Sequence, residues 1–201
     1  EDPSSLPHPG FSYRAKLADG VPRKLRIAYS PDLGYAVVQS DIAQAVYDAA
    51  KLYERLGHEL VEIKGGPPKM GQAWGMWGAF ELAAANLQHL PARAADFGRA
   101  GLASMKLAWQ MTPEWFREQA MRRLELSRWC NSVFAEHDLL ITPTVPFDPP
   151  PAKGPFPLET EGRAQLDWGV ASFTIPFNLS LHPAASLRVG LSQAGLPIGM
   201  Q

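Results

Sequence analysis

Apolar and polar residues first fall into register at positions 25–29, where Leu25, Ile27 and Tyr29 interleave with Arg26 and Ala28. That two-residue period predicts a β-strand, ended by Pro31-Asp32-Leu33-Gly34. The period then lengthens. Ile42, Ala45, Val46, Ala49, Tyr53 and Leu56 recur at steps of three and four, the spacing of one helical face. Ser40 is the expected N-cap, Asp41 sits where the helix dipole favours a carboxylate, and Gly57 supplies the stop. Positions 59–63 return to a strand. A strand, a helix and a strand within about forty residues predict a right-handed βαβ unit with parallel strands.

After the Gly/Pro loop at 65–71, Trp74, Trp77, Phe80, Ala84 and Leu87 again follow helical spacing. Core packing is the first reading of this aromatic face. The second is the lining of an acyl or aryl pocket, and on it Trp77 is kept as a candidate substrate-binding residue. The spacing of Gly71, Gly75 and Gly78 reads as close helix packing. Pro91 ends that helix, and a shorter one is expected within 92–111. Thr112-Pro113-Glu114 combines an N-cap, a proline at the first helical position and an acid beside the positive dipole end. The helix it opens should run to about position 137 and bury Leu126, Trp129, Cys130, Val133 and Phe134 on one stripe. A thiol on such a stripe is an inert small hydrophobe rather than a nucleophile. Positions 139–142 form a short buried strand, and 143–165 a proline-rich loop. In 173–201, two apolar runs flanked by Gly190, Gly195 and Pro197 predict paired strands buried on both faces.

Bulk properties narrow the class. The 201 residues are 46% hydrophobic, enough for one sizeable core, while residues 1–23, rich in Pro, Gly and Ser, should be an irregular leading segment. A net charge of −1 without a basic block argues against a nucleic-acid surface. Positions 73–90 are apolar but interrupted by Glu81, Asn86, Gln88 and His89, so a membrane span is not expected. The single cysteine allows no internal disulfide, and no secretory leader is legible, so the expected address is cytoplasmic. His58-Glu59 lacks the second histidine of a zinc-protease helix, and the other histidines are isolated. No metal and no cofactor is expected. No nucleophile elbow, phosphate loop or dinucleotide fingerprint is present, and Ser186 follows Pro183-Ala184-Ala185 in a predicted strand rather than a sharp turn.

Two stretches carry a resemblance. Pro176-Phe177-Asn178-Leu179-Ser180, then Pro183-Ala184-Ala185-Ser186, then Gly195-Leu196-Pro197-Ile198-Gly199-Met200-Gln201 resembles the C-terminal core of the amidase signature family of serine amide hydrolases. Asp138-Leu139-Leu140-Ile141-Thr142-Pro143-Thr144 resembles that family's D-x-L-L-x-P-T strand end. The resemblance implies an α/β fold with a mixed, largely parallel central sheet covered by helices, residues 1–201 forming the C-terminal part of one amidase-like domain. It also implies acyl transfer by a serine, with a second, cis-peptide serine and a lysine relaying its proton. No Gly/Ser-rich run that would carry those groups occurs in these residues, so no catalytic residue is assigned.

The expected pocket edge is 166–180, read as a passage from helix to strand, where Trp168, Phe173 and Phe177 adjoin Ser172, Thr174 and Asn178. With Ala171 and Trp77, the residues Trp168, Ser172, Phe173, Thr174 and Asn178 make up the candidate substrate-binding set. Asn178 could equally satisfy backbone groups. The A-type subunits of amidotransferases resemble this stretch but carry an aspartate, for the substrate's ammonium, three residues before the threonine; here that position is Ala171. A less polar carboxamide or anilide is therefore expected in place of glutamine. The expected partners are a small-molecule amide and a second copy of the chain. The competing reading is a non-catalytic binding protein of the same fold, and a further one is an amidotransferase A-type subunit.

Overall fold

The computed structural model describes residues 7–20 and 23–201. Its elements, in order, are α1 (Tyr13–Ala18), β1 (Arg26–Tyr29), α2 (Ser40–Arg55), β2 (Glu59–Glu62), α3 (Gly71–Asn86), α4 (Arg99–Ala108), α5 (Pro113–Glu136), β3 (Leu139–Ile141), β4 (Glu159–Thr160), β5 (Arg163–Ala164), α6 (Ile175–Ser180), β6 (Leu187–Leu191) and β7 (Pro197–Met200). The expected parallel pair is present: β1 lies between β2 and β3 and runs parallel to both, with Ile27 level with Leu60 and Leu139. Past β3 the chain stays extended and meets β7 running the other way. Thr142 N–H donates to the Gln201 carbonyl at 2.9 Å, the Gln201 N–H returns to Thr142 at 2.8 Å, and Thr144 N–H donates to Gly199 at 2.9 Å. β7 in turn pairs antiparallel with β6. The parallel sheet β2-β1-β3 and the antiparallel pair β6-β7 are thus joined, beyond the end of β3, by the antiparallel bridge between Pro143 and Met200, a mixed arrangement covered by helices as expected.

Ile27, Ala28 and Tyr29 are all buried, because both faces of β1 are covered and the strand has no solvent side to leave polar. α2 contributes Ile42, Val46 and Ala50 to the core, each four residues apart, and α5 contributes Leu126, Cys130 and Val133. Thr112 caps α5 as expected, its Oγ1 accepting the Trp115 N–H at 3.2 Å. Asp138 closes the end of the sheet. It accepts from the Arg26 N–H at 2.9 Å and from both terminal nitrogens of Arg23, while its own N–H donates to Arg26. The Arg23 guanidinium and that backbone donor hold its carboxyl at a pKa of about 2.

Several expectations are corrected. Ser40 is not the N-cap of α2; its hydroxyl donates to Glu161 Oε1 at 2.6 Å, and its N–H donates to the same oxygen at 2.9 Å. A carboxylate from the β4–β5 turn thus caps the positive end of α2, and the Ser40 hydroxyl and N–H keep Glu161 below its usual range. That hairpin stands within the segment read as a plain proline-rich loop. The leading segment, whose residues 1–6 and 21–22 lie outside the described set, contains α1, capped by Ser12. In α3, Trp74 and Phe80 are exposed and the buried positions are Ala73, Ala79 and Ala83. α4 packs against α3, and Trp77 and Phe80 cluster with Trp115 and Phe116 of α5. The passage 166–180 ends in a helix, not a strand. β6 is not buried on both faces: Leu187 and Leu191 are exposed, and among the described residues β6 pairs with β7 alone.

Two loops set up the ends of β1 and β2. The Ser30 hydroxyl accepts the Leu33 N–H at 3.0 Å, and a Cβ added at Gly66 would lie 1.7 Å from the Leu33 carbonyl oxygen. Only glycine lets the backbones touch there. This contact brings Tyr35 to the same end of the sheet as Lys69 and Met70.

Candidate substrate-binding site

At that end a hollow of about 240 Å³ opens between the start of α3, the middle of α5 and the segment 166–176. Its aromatic wall is Trp168, held in the left-handed region at φ 64°. The indole lies on α3 over two glycines. A Cβ at Gly71 would fall 2.8 Å from Trp168 Cβ, and one at Gly75 would fall 2.3 Å from Trp168 Cζ2. The glycine spacing read as close helix packing thus serves the Trp168 side chain at Gly71 and Gly75, in place of a neighbouring helix, and Gly78 meets nothing.

In the same lining, the Tyr35 hydroxyl donates to the Ser172 carbonyl at 2.8 Å. Burial pushes its pKa well above the ordinary phenol value, so the group remains a neutral donor. Ser172 is buried and spends its hydroxyl on the Gly169 carbonyl at 2.7 Å, closing the 3-10 turn Gly169–Ala171. Ala171 presents only a methyl group to the hollow. Lys69, Gln72, Arg122 and Asp167 complete the polar part of the lining, with Arg122 Nη2 donating to the Lys69 carbonyl at 2.6 Å.

Of the sequence-predicted site residues, Trp168, Ala171 and Ser172 come together here. Phe173 does not line the hollow: it has no exposure and packs in the main core, its carbonyl accepting from Gln201 Nε2 at 2.9 Å. Thr174 turns its hydroxyl toward the Ala171 carbonyl at 3.4 Å. Trp77 and Asn178 meet instead at a separate hollow of about 220 Å³, with Arg123 and Leu179 beside them. There Asn178 donates to the Thr174 carbonyl at 2.9 Å, a helix-internal bond. Tyr35, Lys69 and Arg122 were not legible, since they lie on three elements far apart in sequence; the Gly71/Gly75 spacing was the one signal marking α3 as a wall.

Cys130 is fully buried, and burial raises its pKa, against a weaker lowering by Ser180. It is remote in kind from an activated thiolate. Among the described residues no three His, Cys, Asp or Glu side chains converge where they could hold a metal ion, and no helix is long and apolar enough to cross a membrane.

Family comparison decides what this architecture is. The family model described as Amidase matches residues 1–201. The chain belongs to the amidase family. Among curated proteins, this amidase-family chain is similar to an acylamidase of Rhodococcus erythropolis, 27% identical over 207 residues, with 100% of this chain and 42% of the relative covered. It is also similar to the A-type subunit of a glutamyl-tRNA(Gln) amidotransferase from Streptococcus equi subsp. zooepidemicus, 27% identical over 227 residues, covering 100% of this chain and 45% of the relative. Among solved structures, a bacterial aryl acylamidase of the amidase signature enzymes superposes with a TM-score of 0.81 at 25% identity, over 93% of this chain and 41% of the other. The chain spans less than half the length of these relatives.

Proposed function

We propose that the protein containing this chain is an amide hydrolase and that the hollow beside Trp168 forms part of its acyl-binding wall. The observation that carries the reading is the meeting of Trp168, Ala171 and Ser172 on one concave surface in an amidase-family fold. A small amide needs an apolar face and a few fixed polar groups. Trp168 gives the face. The Tyr35–Ser172–Gly169 hydrogen bonds tie down the turn that follows Trp168, so the substrate is positioned by groups that do not reorganise when it binds. In the reaction that the family resemblance implies, a serine attacks the carbonyl carbon, a lysine–serine relay passes its proton to the leaving amine, and water releases the acid. The residues of this chain bind and orient the acyl part, while the nucleophile and relay belong to the Gly/Ser-rich signature, which residues 1–201 do not contain.

Ala171 favours acylamides and anilides over glutamine. Without a carboxylate at that position, a substrate ammonium would lack the partner that the aspartate of the A-type subunits supplies, and in the lining Lys69 and Arg122 outnumber Asp167. The test is release of ammonia from simple carboxamides and of arylamine from anilides by the full-length protein. Turnover of these amides with little or none of glutamine is expected. Absence of turnover on every amide would refute the reading and leave the binding-protein alternative. That alternative draws support from β6, whose exposed Leu187 and Leu191 border a sheet edge open to a further strand among the described residues.

A further inference from the structure

The charge of the hollow points to a narrower substrate class, and we infer that the site prefers amides bearing a carboxylate at the end away from the scissile bond. This inference rests on the amide-hydrolase reading. Two cations, Lys69 and Arg122, line the hollow against one carboxylate, Asp167. Neither cation forms an ion pair among the described residues; what links them is the hydrogen bond from Arg122 Nη2 to the Lys69 carbonyl. That bond anchors one edge of the guanidinium at the wall and leaves its remaining donors for a ligand.

Of the neutral polar groups in the lining, Tyr35 and Ser172 are committed inward, while Gln72 at the start of α3 adds no charge. Tyr35 donates to Ser172, and Ser172 to Gly169. Ala171 adds a methyl where a carboxylate would have drawn a cation. The lining thus combines a flat apolar indole with a net positive rim, an arrangement that fits a short acyl chain with its own terminal carboxylate. A planar guanidinium matches a carboxylate in two-point contact, and Lys69 supplies a second charge from the exposed side.

Three amides of equal chain length separate the possibilities: glutaramate (anionic), glutaramide (neutral) and 5-aminopentanamide (cationic). Steady-state kinetics of the full-length enzyme should rank kcat/KM in that order, with glutaramate at least about tenfold above glutaramide. Because Lys69 is exposed, raising the ionic strength should narrow the gap. Arg122→Gln should reduce the glutaramate-to-glutaramide ratio about tenfold, and Arg122→Lys should restore part of it. Ala171→Asp should move the preference toward 5-aminopentanamide. Equal rates for the three amides, or a cationic preference in the wild type, would overturn the inference while the hydrolase reading stood. Quenching of Trp168 fluorescence by glutaramate but not by 5-aminopentanamide, without turnover of any amide, would uphold the charge preference and refute the hydrolase reading. No turnover and no binding would end both. Should a variant fail to fold, the wild-type ranking and its salt dependence decide the matter.

Discussion

Replacing Gly75 by alanine tests whether the indole of Trp168 is seated on α3. The added Cβ would lie 2.3 Å from Cζ2, 2.9 Å from Cε2 and 3.0 Å from Cη2 of Trp168. Carbon atoms rest at about 3.5–4.0 Å, so the ring must retreat by more than about 1 Å. Forcing an extra methyl into a packed contact costs about 1–3 kcal/mol. Against this, alanine is favoured over glycine in a helix interior by about 1 kcal/mol. The single variant should therefore range from nearly unchanged to about 2 kcal/mol less stable. In a Trp168→Ala background the clash is gone and only the helix preference remains, so the same substitution should stabilise by about 1 kcal/mol. Urea denaturation of the four proteins in this cycle should return a coupling of about 1–3 kcal/mol. Additive effects, with coupling below about 0.5 kcal/mol, would show that the ring does not rest on Gly75 and would remove the aromatic wall from the site.

Asp138→Asn should lower stability at neutral pH, and the effect has a definite pH signature. The folded pKa of about 2 lies below the unfolded value, so the carboxylate's contribution is complete above about pH 4 and lost as pH falls through about 2. The gap in urea midpoint between wild type and variant should close over that window; a gap independent of pH would contradict the clamp. Cys130 should react with a thiol-specific disulfide reagent only as fast as the chain opens, and rapid labelling of the folded protein would refute its burial. Thr112→Ala removes the cap that accepts the Trp115 N–H and should cost about 1 kcal/mol in thermal or urea unfolding.

How much of this was legible in the sequence depends on the range over which each signal acts. The β1–α2–β2 unit and the start of α5 could be read because apolar period, cap and stop lie within a few residues of one another. The inward stripe of α5, with Leu126 and Cys130, followed from the same local rule. The cap of α2 could not be read, because the carboxylate that makes it is Glu161, 121 residues further along. The orientation of α3 failed for a different reason. Its aromatic residues promised the larger gain in burial, but the buried positions are Ala73, Ala79 and Ala83, and neighbouring aromatics on α5 give Trp77 and Phe80 a cluster outside the core.

The candidate site shows the same limit at the level of chemistry. Trp168, Ala171 and Ser172 lie within five residues of one another, so a local reading could group them. It also swept in Phe173, because a sequence window does not say which side chain a 3-10 turn followed by a helix will send to the core. The charge of the site is the part that local reading inverts. The missing aspartate at Ala171 by itself suggests a less polar pocket. Lys69 arrives from the loop before α3 and Arg122 from the third turn of α5, and together with Asp167 they make the lining positive. The substitution at Ala171 thus removes a competitor for those two cations as well as a partner for an ammonium, and both consequences favour the same kind of substrate.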